Sequence, residues 1–549
     1  MMKYFKNELW LVGVFFLTYN IGVGQSIETT FFDSLLLKYD IPGLSIAYID
    51  NDKLEYIGNH GVTSQDTKDS IRANTVFGAA SLSKPAFAYA VMKLVEQEKV
   101  DLDKPLYHYL KNEELEKDER YKEITTRMIL SHSSGLPNWR NGELKLMHKP
   151  GSKFQYSGEG YMYLAKVIEH IQQKPINQVM KELVFQPLDM KHSSFVWEDR
   201  FEINFASPHD YTGTPKPNWR PEKPVIASSL HTTPTDYAKL MIAILQKKEL
   251  ETRTFNEIMK PQIKISNSLS WGLGWGINSS SKAEYLWQWG DNGNLKSFAM
   301  FYPDENRGMV FFINSYKGLR ILPELVEYLF KDTIPEFSML ERSMRIRSDE
   351  KIMLSILKKG YNSGIKEFLI PNSNLLDTTI ATERQLAFVA MQLKWRKKYS
   401  EEKRLLKAIA ETFPASFKAQ KGYAAHCIRH GYTHEGIQYY KKAQLLEPHN
   451  TDISNTLHLL TSEELNGNVT FTFSDYLWGS SVSVIGSFNN WSSSSTPLLK
   501  KNGVWTTTIN LKPGTYSYQF MVDGYPMLDP KNDEVINENG QISSLLKVE

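Results

Sequence analysis

Taken only as apolar and polar positions, the chain changes its period along its length. A short helix is predicted near Phe31–Tyr39, ahead of two apolar runs, Gly43–Asp50 and Lys53–Ile57. Asp50-Asn51-Asp52 joins those runs, so they read as two strands and a hairpin turn. Phe87, Ala90, Val91, Leu94 and Val95 then recur at helical spacing, which predicts a helix with one apolar face. A second long helix is predicted at Gly160–Gln172. Ser270–Ile277, Tyr285–Trp289, Ser297–Tyr302 and Gly308–Ile313 read as successive antiparallel strands, closed by a helix at Leu322–Phe330. Strands at both ends with helices between them predict an α+β domain. Its antiparallel sheet, flanked by helices, is completed by the C-terminal half.

Beyond about Ser343 the pattern becomes helical with charged faces. Pro414 and Pro448 close two segments and stand 34 positions apart, with Tyr399 and Tyr432 at similar places before them. Gly422–Ala425 and Tyr439–Leu446 fit a tetratricopeptide-like repeat, which has that period. From about Asn468 the period becomes two. Val469, Phe471 and Phe473 alternate, as do Val482 and Val484, and Tyr516, Tyr518, Phe520 and Val522. With a hairpin turn at Asn502-Gly503, this predicts a small all-β, immunoglobulin-like sandwich. The expected organisation is a leader at 1–24, an α+β domain at 27–335, a helical region at 343–462 and a sandwich at 466–549.

The leader reads as a signal peptide. Lys3 and Lys6 precede an apolar run from Leu9 to Leu17, and Gly22 and Gly24 are small residues before Gln25. An uncleaved anchor is the alternative reading. Export to a bacterial periplasm or the exterior is the expectation. The net charge of +2 gives no electrostatic case for nucleic acid. Cys427 is the sole cysteine, which excludes a disulfide framework and a cysteine-rich metal site. No motif with metal-ligand spacing such as H-E-x-x-H is present, so neither metal nor cofactor is expected.

The candidate chemistry begins at Ser81-Leu82-Ser83-Lys84. Residues three apart on a helix share a face, so the Ser81 hydroxyl and the Lys84 amine can meet. A serine needs a base to become a nucleophile, and burial can lower a lysine pKa enough to supply one. Pro85 is tolerated in a first helical turn. The spacing alone is weak, since it recurs at Ser348–Lys351, Ser355–Lys358 and Ser400–Lys403, among others.

Company elsewhere sharpens it. Leu130-Ser-His-Ser-Ser-Gly-Leu-Pro137, Tyr156-Ser157 and Thr232-Thr-Pro-Thr-Asp-Tyr237 follow in order. With Ser81–Lys84 they resemble the serine β-lactamase and penicillin-binding-protein superfamily, on its class C β-lactamase and D,D-peptidase branch. The resemblance implies that Ser81 is acylated and that Lys84 takes or relays its proton. It makes Tyr156 a second proton-transfer group, a tyrosinate of depressed pKa beside ammonium groups. The backbone N–H groups of Ser81 and Asn294 would form the oxyanion hole. His132 is expected to be structural. Two positions depart from the pattern. Gly158 stands where an asparagine is usual, and Asp291, in Gly290-Asp291-Asn292-Gly293, replaces a lysine or histidine. Asp291, Gly293 and Lys296 are the expected substrate-binding residues. Asp291 should repel a substrate carboxylate unless Lys296 neutralises it.

At the C-terminus, Ser483–Ser492 and Tyr518–Gly524 resemble the glycogen-binding module of the AMP-activated protein kinase β subunit. Trp491 matches one of its sugar-stacking tryptophans. Gln519, Pro526 and Ser543 replace its other sugar contacts, leaving Trp491 and Tyr525 as the candidate aromatic platform. The expected function is an exported serine hydrolase acting on a small ester or peptide through an acyl-enzyme, and not an efficient β-lactamase. The alternative is a catalytically inactive envelope binding protein on the same fold. For the sandwich the readings are weak glycan binding or a structural cap, and for the helical region a protein partner or a spacer between domains.

Overall fold

The computed structural model describes residues 27–248, 250–279, 283–365, 383–461, 467–474, 482–492, 496–501, 504–538 and 541–549. The leader at 1–24 and the Asn502-Gly503 turn lie outside the described residues. The chain divides into two units, ending and beginning at Arg345 and Ile346.

The first unit is built on an eight-stranded antiparallel sheet. Its strands come from a ten-strand series: β1 (Gly43–Asp50), β2 (Lys53–Gly61), β3 (Phe77–Gly78), β4 (His231–Thr232), β5 (Ile263–Lys264), β6 (Leu269–Trp271), β7 (Gly276–Ser279), β8 (Glu284–Asp291), β9 (Lys296–Tyr302) and β10 (Arg307–Ile313). The order across the sheet is β2-β1-β10-β9-β8-β7-β6-β5, while β3 and β4 pair separately. The N-terminal hairpin therefore docks on the last strand of the domain, with Leu44 opposite Ile313. Asn51 and Asp52, both at positive φ, make the β1–β2 turn, as a two-residue hairpin requires.

Helices cover both faces. They include α1 (Thr29–Tyr39), α2 (Ser83–Glu96), α3 (Thr126–Leu130) and α4 (Gly158–Gln172). One apolar layer joins α2, α4 and the helix Pro234–Leu245 to the sheet. The other joins α1 and the helix Leu322–Phe330 to Trp271, Trp287 and Trp289.

Two predicted elements differ. Helix α2 has no single apolar face, because every residue from Ser83 to Met92 is buried. It is the central helix of the domain, sheathed on all sides. Ser270–Ile277, read as one strand, is two. Gly272 N–H donates to the Trp275 carbonyl at 2.8 Å and folds the run into the β6–β7 turn. Gly274 sits there at φ +92°, where a Cβ would lie 2.5 Å from Ala88 Cβ on α2.

The second unit contains helices, among them Tyr399–Thr412, Phe417–Arg429, Thr433–Leu446 and Thr451–Thr461, followed by strands. The strands form one sheet in the order β11 (Val469–Phe473), β14 (Val504–Ile509), β13 (Leu499–Lys501). The other runs β12 (Val482–Gly486), β15 (Gly514–Val522), β18 (Gln541–Val548), β17 (Val535–Glu538), with β16 (Tyr525–Met527) beside β15. Phe471, Phe473, Val484, Trp505 and Phe520 share one core, as the alternation predicted. Among the described residues no helix is long and apolar enough to cross a membrane.

Candidate active site

Ser81 occupies a 3₁₀ turn, Ala80–Leu82, immediately before α2. Ala80 precedes it at φ +50°, a conformation an L-residue holds only when its surroundings impose it. Those surroundings are visible. Ala79 N–H donates to the Leu230 carbonyl at 2.7 Å, and Ser297 Oγ donates to the Ala79 carbonyl at 2.7 Å. Tyr237 Oη donates to the Leu82 carbonyl at 2.9 Å, which explains the Thr232–Tyr237 signature. Gly290 lets β8 approach the same turn. A Cβ there would sit 2.0 Å from Ser297 Oγ and 2.6 Å from the Ala79 carbonyl oxygen.

Lys84 is 1% exposed. Its Nζ donates to Ser81 Oγ at 3.1 Å and to the Ala227 carbonyl at 2.8 Å. Burial lowers its pKa from 10.5 to about 7, since an ammonium in an apolar site lacks hydration. The amine lies over the rings of Tyr156 and Tyr161, 4.9 and 5.7 Å from their centroids. Ser81, Lys84 and Tyr156 are therefore brought together.

Tyr156 corrects one expectation. Burial raises its pKa, and hydrogen bonds with Ser81 and Gln288 only partly oppose that. No tyrosinate is poised here. Tyr156 holds its proton, and Lys84 is the group whose pKa suits a base. His132 lies 4.2 Å from the Tyr156 ring, centroid to centroid. Its Nδ1 accepts from Ser157 N–H at 3.0 Å. Burial and the Lys84 charge hold its pKa far below the usual histidine value, so it stays neutral and braces the Ser157 backbone.

The third motif departs further from expectation. Asp291 and Lys296 stand opposite each other at the end of the β8–β9 hairpin and form an ion pair. Asp291 also accepts from Ser343 Oγ at 2.8 Å and from Gly293 N–H at 2.9 Å. Lys296 is 3% exposed. Asp291 is thus neutralised by its neighbour, and Lys296 is not free to hold a substrate carboxylate. Gly293, at φ +74°, forms the turn. Asn294 N–H donates to the Asn292 carbonyl at 3.0 Å, so the second expected oxyanion donor is engaged within that turn.

Gly158 has a steric reason. A Cβ there would lie 2.6 Å from the Asn138 carbonyl oxygen, which accepts from the N–H groups of both Gly158 and Glu159. The Pro137–Arg140 loop fills the place of the missing asparagine side chain. A cavity of about 400 Å³ is lined by Gly78, three residues before Ser81, and by Trp139, Phe205, Lys216, Trp219 and Asn294, among others.

Sequence reasoning missed Gln288, which hydrogen-bonds Tyr156. Its signal was a polar residue inside the apolar run Tyr285–Trp289. It also missed the grouping of Glu402, His426 and His430, whose ligand atoms lie within 4.8 Å of one another. Arg429 Nη1 stands 3.6 Å from Glu402 and supplies a counter-charge there without a metal. In the sandwich, Tyr525 is 75% exposed and Trp491 half-buried. Gln519 and Ser543 are buried, with Gln519 Nε2 donating to the Ile542 carbonyl at 2.7 Å.

Comparison with known proteins gives two family matches. A model described as beta-lactamase matches residues 27–328. One described as the glycogen recognition site of AMP-activated protein kinase matches residues 468–549. The chain is similar to Protein flp of Staphylococcus aureus (strain MW2), 24% identical over 335 residues, 56% of this chain and 65% of that protein. It is also similar to teichoic acid D-alanine hydrolase of Staphylococcus aureus (strain MRSA252), 27% identical over 235 residues, 39% of this chain and 57% of that protein. The matches thus span less than two thirds of those relatives' own length. Among solved structures, the octameric penicillin-binding protein homologue from Pyrococcus abyssi aligns with a TM-score of 0.49 and 20% identity, over 60% of this chain and 80% of that one. D-alanine carboxypeptidase AmpC from Burkholderia cenocepacia aligns with a TM-score of 0.46 and 18% identity, over 52% and 93%.

Proposed function

The chain belongs to the beta-lactamase family, and from that premise we propose that it is an exported serine hydrolase that cleaves an ester or amide through an acyl-enzyme on Ser81. The observation that carries this reading is the buried Lys84 amine, 3.1 Å from Ser81 Oγ and brought by burial to a pKa of about 7. Near neutral pH an appreciable fraction of that amine is unprotonated and able to act as a base.

In the acylation step Ser81 Oγ attacks the substrate carbonyl carbon while its proton passes to Lys84 Nζ. The bond to the leaving group then breaks, and Tyr156, which keeps its proton, supplies it to the departing oxygen or nitrogen. The Lys84 ammonium returns a proton to the phenolate. Water repeats the sequence to release the acid. Trp139, Phe205 and Trp219 in the neighbouring cavity favour a flat ring on the substrate, and Lys216, Asn292 and Asn294 beside them favour polar groups on it. The Asp291–Lys296 pair adds little net charge, so the expected selection against carboxylates is withdrawn. A relative named for hydrolysis of teichoic acid D-alanine supports a hydrolase. The basic start and apolar run of the leader support export, to a bacterial periplasm or beyond. The glycogen-recognition module suggests that the chain works near a glycan.

A fluorophosphonate probe followed by peptide mapping tests the reading. Stoichiometric label on Ser81, lost in Ser81→Ala with the protein still folded, is the expected result. Label on another serine overturns the assignment. Failure of every electrophile to label favours a binding protein on the same fold.

A further inference from the structure

Gln288 is 0% exposed on β8, between Trp287 and Trp289 in the chain. Leu286 packs in the layer that contains α2, whereas Tyr285, Trp287 and Trp289 pack in the opposite one. The two-residue alternation of a strand puts Gln288 and Gly290 on the nucleophile's side. Gln288 Nε2 donates to Tyr156 Oη at 2.8 Å and to the Trp289 carbonyl at 2.9 Å. A carbonyl only accepts, so the Trp289 contact fixes which end of the amide is nitrogen. Among the described residues Gln288 Oε1 has no hydrogen-bond partner.

A buried amide with one end unmatched is unfavourable. Leucine or methionine would fill the same space without that defect. Residues that break a local rule in this way concentrate where function holds them. The role lies in the direction of the hydrogen bond. Because Gln288 donates, the phenol oxygen accepts, and the phenol's own proton must point elsewhere. Ser81, whose side chain acts on Tyr156 and lowers its pKa, is the partner left for that proton.

We propose that Gln288 is a positioning residue for proton delivery: its Nε2–H turns the Tyr156 proton toward the reacting centre and holds the negative charge left on the phenol oxygen when that proton departs. This rests on the serine-hydrolase reading above. In the step concerned, the bond from the acyl carbon to the leaving oxygen breaks with its electron pair on that oxygen. The Tyr156 proton bonds to it, and the phenolate formed keeps the Gln288 hydrogen bond until Lys84 reprotonates it. A leaving group that departs as a stable anion needs little of this help. An alkoxide needs it most.

The test compares p-nitrophenyl butyrate with ethyl butyrate, which share an acyl group, on the full chain. In Gln288→Leu, kcat/KM for the ethyl ester should fall at least tenfold further than for the nitrophenyl ester. Gln288→His, which restores an N–H donor, should recover part of the difference. A general disturbance of the core would lower both rates alike, and that result, or no loss on either ester, overturns the proposal. If Gln288→Leu does not fold, Gln288→Met and Gln288→His carry the same comparison. Wild type that hydrolyses neither ester and takes no label at Ser81 removes the hydrolase premise and this proposal with it. Wild type that hydrolyses both, with equal losses in the variants, removes only the role of Gln288.

Discussion

At the scale of single residues, the decisive quantity is the proton on Lys84. The unfolded chain would hold it to about pH 10.5, and the folded chain releases it near 7. Burying the ammonium therefore costs roughly 5 kcal/mol at low pH. The sign follows from linkage: between those values the unfolded state binds more protons, so this group's contribution to stability rises with pH. Acylation by wild type should accordingly climb as pH passes through about 7 and then level off. Lys84→Met should lower that rate by roughly 10²- to 10⁴-fold. The same variant should gain more thermal stability over wild type at pH 6 than at pH 9, because methionine has no charge to bury. A gain that is the same at both pH values would show that Lys84 is not a low-pKa amine. Ser81, Lys84 and Tyr156 were legible in the sequence because short spacings and ordered motifs carry them. The pKa values were not, since burial is set by chain segments far away in sequence. Tyr156 was read as a depressed tyrosinate from its charged neighbours, yet desolvation dominates and only the hydrogen bonds with Ser81 and Gln288 oppose it.

Among elements, strand β8 matters most. It bears Gln288 and, through Gly290, lies against the Ala79–Ser81 turn with no room for a methyl group. Gly290→Ala must push strand and turn apart. A displacement of about 1 Å at a catalytic group can cost on the order of a hundredfold in rate. We expect at least that loss in kcat/KM, with a cooperative melt retained. Near wild-type activity in Gly290→Ala would show that the contact yields without moving Ser81. The strands themselves were readable from alternating apolar runs. The β6–β7 turn was not, because Trp271 and Trp275 make Ser270–Ile277 look continuous while Gly272 and Gly274 supply the bend. Gly158 and Asp291 stood out in sequence as departures from the family pattern. In the fold, one makes room for the Asn138 carbonyl and the other is tied to Lys296.

For the molecule as a whole, the C-terminal module adds a surface on which a glycan can be tested. Trp491 and Tyr525 offer aromatic rings, but Gln519 and Ser543, which replace two of the other sugar contacts, are buried in the sandwich. Weak binding is the expected outcome, since loss of a stacking ring or its polar partners typically costs one to a few kcal/mol, roughly a tenfold change or more. Electrophoresis of the full chain through glycogen gels measures it. Slight retardation, abolished in Trp491→Ala, agrees with a single remaining platform. Strong retardation would mean that exposed residues beyond the inherited set bind the sugar.

The docking of the N-terminal hairpin on β10 also fixes an order of events in time. Strand β1 leaves a synthesis or translocation channel early, yet its neighbour opposite β2 ends at Ile313. Until then one side of β1 presents unpaired N–H and C=O groups, a template for any passing strand. Closing so distant a pair is slow. The chain therefore cannot acquire the fold around Ser81 piecemeal: some 260 residues must emerge before the sheet closes. A protein that threads a membrane unfolded and matures on the far side would have its catalytic turn assembled only there.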